Sequence, residues 1–263
     1  MIKPHRLVIS MVLLIVGIPF VLIGAPEDET VEQTPELSVE VTADVYGKYI
    51  WRGQDINNDP AVQPGINLVA GALSLSAWGS IDTTDVVDES GEFTEIDWVI
   101  DYSGDLGILE GVGYSVGMIN YQFPSAADTT EIYCGLTLTG PLSPSVTIYY
   151  DVEMASSYTS FGVGHSIDNV VGDGLGFPIG LDVSAGLGWG SASYNQSYWG
   201  NTVTTGELND ISLAIGFPIE VMGWNVTPSL NYVGLVGDQV KDSNRFNSKD
   251  TYVFVGIGFV KEL

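Results

Sequence analysis

The sequence contains few of the residue types on which most enzyme and metal sites depend. Among 263 residues there are one cysteine, Cys134, and two histidines. A single cysteine excludes an internal disulfide framework and any metal site built from several cysteines. His5 lies in the predicted export segment, which leaves His165 for catalysis, and the neighbouring Ser166 would point to the opposite face of a strand. We therefore predict that the protein is not an enzyme and that it needs no cofactor and no metal.

Basic residues are also scarce. Lysine and arginine together number 8, against 33 aspartates and glutamates, and the formal net charge is -25. Such acidity excludes nucleic acid as a partner, because nucleic acids select basic surfaces. It suits a surface or an internal channel that attracts cations.

Along most of the chain, apolar and polar residues alternate with a period of two and do not follow a helical period. The alternation is clearest at the start of the stretch 37–65, where one face of a predicted strand is apolar and the other polar. The apolar face carries Leu37, Val39, Val41, Ala43, Val45, Gly47, Tyr49 and Trp51. A strand of about fifteen residues is long for a soluble protein, whose strands usually have about five or six, whereas a tilted membrane-crossing strand needs about 9–11 and often extends past the lipid.

Alternating segments follow one another to the C-terminus, and we predict twelve of them. The connections after even-numbered segments are mostly tight and marked by glycine or proline, and those after odd-numbered segments are mostly longer and polar. A soluble sandwich or a lipocalin-like barrel gives no reason for this alternation, whereas a membrane barrel does. The predicted fold is all-β, a single up-and-down antiparallel transmembrane β-barrel over residues 37–263. An even strand number puts both termini on the short-turn, periplasmic side.

The N-terminus has the layout of a secretory signal peptide. Lys3, His5 and Arg6 precede an uncharged run over residues 7–23, which Ala25 and an acidic stretch follow. We predict a signal peptide over residues 1–25, with an uncleaved anchor as the alternative, and an acidic linker over residues 26–36. Export of a barrel places the protein in the cell outer membrane.

Two further sets of residues follow from the alternation. Aromatic residues at the ends of apolar faces are suited to the membrane–water boundary. They are Tyr49, Trp51, Trp189, Phe217, Trp224, Tyr232 and Phe259. Charged residues on the polar faces would line the lumen, where a surplus of carboxylates favours cations. They are Glu40, Asp44, Lys48, Arg52, Glu95, Asp97, Asp101, Glu131, Asp151, Asp182 and Asp210.

Several short motifs resemble a known family. Trp51-Arg52-Gly53, followed by Asn-Asp-Pro-Ala-Val-Gln-Pro-Gly at 58–65, is similar to the opening signature of the TorF-type porins, outer-membrane proteins of proteobacteria. The segments 95–98, Glu-Ile-Asp-Trp, and 121–124, Tyr-Gln-Phe-Pro, are further matches. The sequence departs from the family at Pro64, where glycine is usual, and at its ending, where an aromatic residue is usual. The resemblance implies location and architecture and assigns no solute.

These observations predict a porin for passive diffusion of small cationic or neutral solutes through an acidic lumen. Its partners would be outer-membrane lipid and the solutes themselves. Lys48 and Arg52 would stand near the outer mouth and set selectivity. One alternative is a barrel with a plugged lumen that serves a structural role or presents its acidic loops to a partner or to calcium. An outer-membrane hydrolase dependent on His165 is a third.

Overall fold

A computed structural model describes residues 10–11, 20–21, 37–86, 90–172, 177–246 and 249–263. The predicted signal peptide and linker lie outside this description, except for Ser10–Met11 and Phe20–Val21, which pair as two antiparallel strands. No helix in these ranges is long and apolar enough to span a membrane.

Twelve strands form the wall of the molecule. They are β1 Leu37–Tyr46, β2 Ala61–Ala70, β3 Leu73–Asp82, β4 Phe93–Asp105, β5 Val112–Gln122, β6 Thr129–Leu138, β7 Ser145–Asp151, β8 Ser156–Ile167, β9 Leu181–Gly190, β10 Glu207–Gly216, β11 Trp224–Leu235 and β12 Thr251–Glu262. Each strand pairs antiparallel with the next one along the chain, and β12 pairs with β1 through a register that sets Gly258 opposite Asp44. The sheet is therefore closed, and the predicted up-and-down barrel of twelve strands is confirmed.

The predicted alternation separates the two faces of the wall. In β4, Trp98, Ile100 and Tyr102 are 53%, 42% and 51% exposed, whereas Glu95 and Asp97, which precede them, are each 5% exposed. Successive side chains of a strand point to opposite faces, so the apolar residues face outward and the carboxylates face the lumen. This is the reverse of a soluble barrel, which buries its apolar face.

The connections divide into two rims. The chain turns between β2 and β3 over Gly71 and Ala72, and at the same rim the Leu263 amide donates to the Val39 carbonyl at 2.8 Å. We call this rim, where the barrel's first strand begins and its last strand ends, the short-turn end. The opposite rim, the long-loop end, carries residues 47–60, 191–206 and 236–246. Two connections depart from the predicted alternation, because residues 152–155 after β7 are few and residues 168–180 after β8 are many.

The long-loop end is itself structured. Helix α1 spans Ala192–Trp199, and its first turn is capped by the Ser191 hydroxyl, which accepts from the Tyr194 amide at 3.2 Å. Helix α2 spans Asp238–Asp242. At the opposite end, the short strand Ile219–Val221 pairs with the beginning of β11.

The first wall strand is shorter than predicted. It ends at Tyr46, and the chain then turns inward as a hairpin in which Tyr49–Trp51 pairs with Gln54–Asn57. We call residues 49–57 the lumen hairpin. Its turn residues Arg52 and Gly53 both have positive φ, 49° and 82°, as the tightest hairpin turns require. The prediction that Leu37–Trp51 forms one continuous wall strand is wrong, because the chain leaves the wall after Tyr46 and residues 49–51 pair with 54–57 inside the barrel.

Candidate functional site: the plugged half of the lumen

The tip of the lumen hairpin carries a buried ion pair. Arg52 Nη1 and Nη2 donate to Glu131 Oε1 and Oε2 of β6, both at 2.7 Å. The two side chains are 3% and 1% exposed. Two parallel charge-assisted hydrogen bonds of this kind fix the orientation of both planar groups. The pair therefore holds the hairpin tip against the barrel wall.

Aromatic rings enclose the guanidinium group of Arg52. Its Cζ lies 4.4 Å from the ring centre of Trp51, 4.5 Å from that of Tyr149, 4.4 Å from that of Tyr158 and 5.9 Å from that of Tyr194. A cation within about 6 Å of a ring face is attracted by the ring quadrupole, most strongly where water is excluded. We call Glu131 together with Tyr149, Tyr158 and Tyr194 the cage.

Hydrogen bonds hold the cage in place. The Tyr121 hydroxyl donates to Glu131 Oε2 at 2.9 Å, and the Tyr158 hydroxyl donates to Asp210 Oδ1 at 2.7 Å. Gly188 makes room for the second bond, because a Cβ there would lie 1.8 Å from the Tyr158 hydroxyl oxygen. Gly188, on the inner face of β9, therefore admits a tyrosine and its carboxylate partner.

The rest of the lumen hairpin reaches the wall on other sides. The Tyr49 hydroxyl donates to Glu95 Oε2 at 2.7 Å, and its ring packs edge-on against Trp78. Ile50 packs among Val233, Tyr252 and Phe254, which belong to β11 and β12.

Trp51 continues this packing toward the centre of the lumen. Its ring packs edge-on against Tyr121 of β5 and Tyr198 of α1, with centroids 6.0 and 5.4 Å apart. Because the hairpin is packed against strands on opposite sides of the barrel, it fills the lumen at the long-loop end.

Loop residues close the remaining space at this end. Trp199, Val203, Leu235 and Val240 form an apolar cluster in which α1 and α2 meet β11. Asn195 of α1 is fully buried; its Oδ1 accepts from Asn209 Nδ2 at 2.8 Å, and its Nδ2 donates to the Thr205 carbonyl at 3.0 Å. Helix α1 is therefore fixed over the hairpin.

Electrostatics favour the charged form of the arginine. Burial alone lowers the pKa of Arg52, but the Glu131 carboxylate opposes it, and the pKa lies above the usual value. An arginine with such a partner stays protonated at every pH the protein experiences.

The short-turn half of the lumen has a different lining. Its inward positions carry carboxylates and small polar side chains, and these are partly exposed, unlike the buried residues around the hairpin. They include Glu40, Thr42, Asp44, Ser74, Ser76, Thr147, Asp182, Ser184, Thr227 and Ser229. We call this half the vestibule. It is open to solvent, and the surplus of carboxylates gives it a negative potential.

The structure brings most of the predicted lumen residues to the inner face. Glu95, Asp97, Glu131, Asp151 and Asp210 are buried around the hairpin. Asp101 lies further along β4, nearer the vestibule. The hydroxyls of Tyr133 and Ser115 donate to it at 2.7 and 2.5 Å. Glu40, Asp44 and Asp182 line the vestibule. That these residues line a conducting pore stays a prediction.

The two predicted basic residues have other surroundings than expected. Lys48 Nζ donates to the side-chain and main-chain oxygens of Asn58, with 2.9 Å to the latter. Arg52 is in the ion pair with Glu131. Neither stands free in an aqueous outer mouth, because each has a close oxygen partner.

The predicted aromatic girdle divides into two groups. Trp189 and Phe217 are 36% and 42% exposed on the outer face, and Trp224, Tyr232 and Phe259 lie on outward positions of β11 and β12. Tyr49 and Trp51 lie inside the barrel, so the girdle prediction is wrong for these two. A tyrosine and a tryptophan are suited both to a lipid boundary and to a packed interior that offers polar partners.

The tyrosines of the cage are not among the lumen residues predicted from the sequence. Tyr149 and Tyr158 occupy polar faces of their strands among threonine, serine and glycine. Their position on a polar face predicts inward-pointing rings, because an aromatic ring on a lumen-facing row must fill the interior. His165, in contrast, lies on the outer face at the short-turn end, where its Nδ1 is 2.5 Å from the Pro141 carbonyl oxygen.

The comparisons with known proteins identify the family. The model of a family described as "Bacterial protein of unknown function (Gcw_chp)" matches residues 32–255. The chain belongs to the Gcw_chp family. The narrower designation of TorF-type porin remains a prediction, and no curated protein matches the sequence.

Solved structures share the fold. LpxR from Salmonella typhimurium superposes with a TM-score of 0.50 at 12% identity, covering 85% of this chain and 99% of that one. The outer-membrane channel from Pseudomonas putida F1 gives 0.46 at 8% identity, over 92% and 100% of the two chains. The NanC porin gives 0.45 at 12%, over 84% and 97%. At 12% identity the likeness of this Gcw_chp chain to LpxR is one of fold alone.

Proposed function

We propose that this Gcw_chp protein is an outer-membrane channel for small cationic or neutral solutes, and that the lumen hairpin closes it. The single observation that supports channel function most directly is the vestibule, an open and acidic half-lumen that ends at the cage. A barrel built only as a structural element has no need for partly exposed carboxylates such as Glu40, Asp44 and Asp182 on its inner face. They concentrate cations at the plug.

The hairpin is a suitable gate because one ion pair fixes its tip. Removing one partner of a buried pair costs about 3–5 kcal/mol, since the other charge is left without compensation. A loss of about 3 kcal/mol shifts an equilibrium between closed and open states by about a hundredfold. A change at Arg52 should therefore be visible as altered conductance even if the wild type opens rarely.

The experiment is conductance of the purified barrel in planar lipid bilayers. We expect rare, small steps from the wild type and frequent cation-selective steps from Arg52→Ala. Lys249→Ala, which removes an exposed positive charge from the same rim, is the matched control and should behave as the wild type. Selectivity is read from the reversal potential in a potassium chloride gradient.

A second function has support from a specific observation. The complete burial of the Arg52–Glu131 pair among aromatic rings fits a permanently plugged barrel with a structural or surface-interaction role. In that case Arg52→Ala stays silent in bilayers, and liposomes that contain it do not swell in sugars of graded size. If the Arg52→Ala barrel folds but does not conduct, the channel proposal is ruled out in favour of the plugged barrel.

A further inference from the structure

The cage is a cation site whose walls do not belong to the hairpin. Glu131, Tyr149 and Tyr158 come from β6, β7 and β8, and Tyr194 comes from α1. Each is fixed by packing or hydrogen bonds outside the hairpin, as in the bonds from Tyr121 to Glu131 and from Tyr158 to Asp210. The hairpin contributes the cation, Arg52, one further ring, Trp51, and a hydrogen bond from Gln54 Nε2 to the Tyr194 hydroxyl at 3.2 Å.

We propose that the cage is a binding site for small solutes that carry a guanidinium group, and that Arg52 occupies it as a tethered ligand. A carboxylate that accepts two parallel hydrogen bonds matches the planar fork of a guanidinium and not the point charge of an ammonium. Ring faces at 4.4 and 4.5 Å supply the remaining walls of a site for a flat cation. The proposal deepens the proposed channel function, since it names the class of solute that would open the gate.

The tether sets the concentration at which a free solute competes. A ligand held by a short flexible link has an effective concentration of about millimolar, and the packing of Tyr49, Ile50 and Trp51 adds to it, so solute at or above the millimolar range is needed to displace Arg52. Two features help the competitor. Arg52 has a positive φ of 49°, which a side-chain-bearing residue adopts at a cost, and release of the hairpin removes that cost. The vestibule carboxylates raise the local concentration of cations next to the cage.

The test uses the full barrel, refolded in detergent, with the tethered ligand removed. Arg52→Ala is titrated with methylguanidinium chloride, and the thermal unfolding midpoint is measured. We expect a rise of about 3–5 °C at tenfold excess over the dissociation constant, because a ligand that binds the folded state stabilises it. Urea, a neutral molecule of similar shape, should give no rise at the same concentrations.

A double variant separates the cage from general salt effects. Arg52→Ala combined with Glu131→Gln lacks the carboxylate and should show no rise with methylguanidinium. An equal rise in both variants, or none in Arg52→Ala, would overturn the proposal. If Arg52→Ala does not refold, Arg52→Leu keeps the aliphatic stem, leaves the guanidinium space vacant and is judged by the same criteria.

The two proposals fail separately. Binding of methylguanidinium to a variant that never conducts would remove the channel and leave the site. A variant that conducts freely but binds no methylguanidinium would keep the channel and remove the site. In the wild type, arginine or methylguanidinium at millimolar concentration should raise the frequency of opening, and tetramethylammonium should not.

Discussion

The buried Arg52–Glu131 pair lies among several other buried carboxylates. Around the hairpin, Glu95, Asp97, Asp151 and Asp210 are all at most 5% exposed. Some have neutral partners instead of cations: Thr129 donates to Asp151 at 2.7 Å and Tyr158 to Asp210 at 2.7 Å. Among the residues that the structure describes, Arg52 is the one cation in this group, so its position decides the electrostatic balance of the plug.

Glu131→Gln tests this balance at the level of stability. The amide cannot neutralise Arg52, and we expect the free energy of unfolding to fall by about 3–5 kcal/mol. Glu220→Gln, at an exposed position in Ile219–Val221, should change it by less than about 0.5 kcal/mol. Urea unfolding of the barrels refolded into the same detergent measures both. A loss no larger than that of the control would mean that the pair does not hold the hairpin.

The lumen hairpin is the element that the sequence predicted least well. The wall strands were predictable because alternation is a local property, and the starts of β3, β5, β7, β9 and β12 fall where the pattern begins. The hairpin interrupts the pattern, since Tyr46 and Ile50 break the alternation of apolar residues. A local pattern cannot say whether the rings of Tyr49 and Trp51 meet lipid or the interior.

The candidate site was predictable in part. Charged residues on polar faces were expected in the lumen and lie there. Their partners were not predictable, because Arg52 and Glu131 are 79 residues apart and only the closure of the barrel brings them together. The same holds for Tyr149, Tyr158 and Tyr194, which enclose one guanidinium from three different elements.

Gly53→Ala tests the hairpin as an element. Gly53 has a φ of 82°, and a Cβ there would lie 2.8 Å from Leu235 Cδ2 and 3.0 Å from Asp210 Cβ. The positive φ costs about 1 kcal/mol and the overpacking a further 1–3, so the hairpin should leave its place and conductance should rise. Gly223→Ala has a similar φ of 77° with open space around its Cβ, and it isolates the backbone cost. Equal behaviour of the two variants would show that Gly53 has no steric role in closure.

At the scale of the whole molecule, the outward apolar face distinguishes a membrane barrel from a soluble one. Leu213, near the middle of β10, is 45% exposed and lies between outward neighbours on β9 and β11. In water such a leucine could be exchanged for arginine at little cost. In a lipid bilayer a charge near the midplane costs about 2–4 kcal/mol, because the hydrocarbon offers it no hydrogen bonds.

Leu213→Arg should therefore lower the unfolding free energy of the barrel in phospholipid vesicles by about 2–4 kcal/mol. Leu142→Arg, at a 58% exposed position in the turn between β6 and β7, should have almost no effect because that turn is outside the hydrocarbon. Urea titration followed by the shift of folded and unfolded bands on unheated gels measures both variants. The difference should be smaller in detergent micelles, whose shape adapts around a charge. If Leu213→Arg and Leu142→Arg unfold alike in vesicles, the outward face does not meet lipid, and the membrane setting that the channel requires is lost with it.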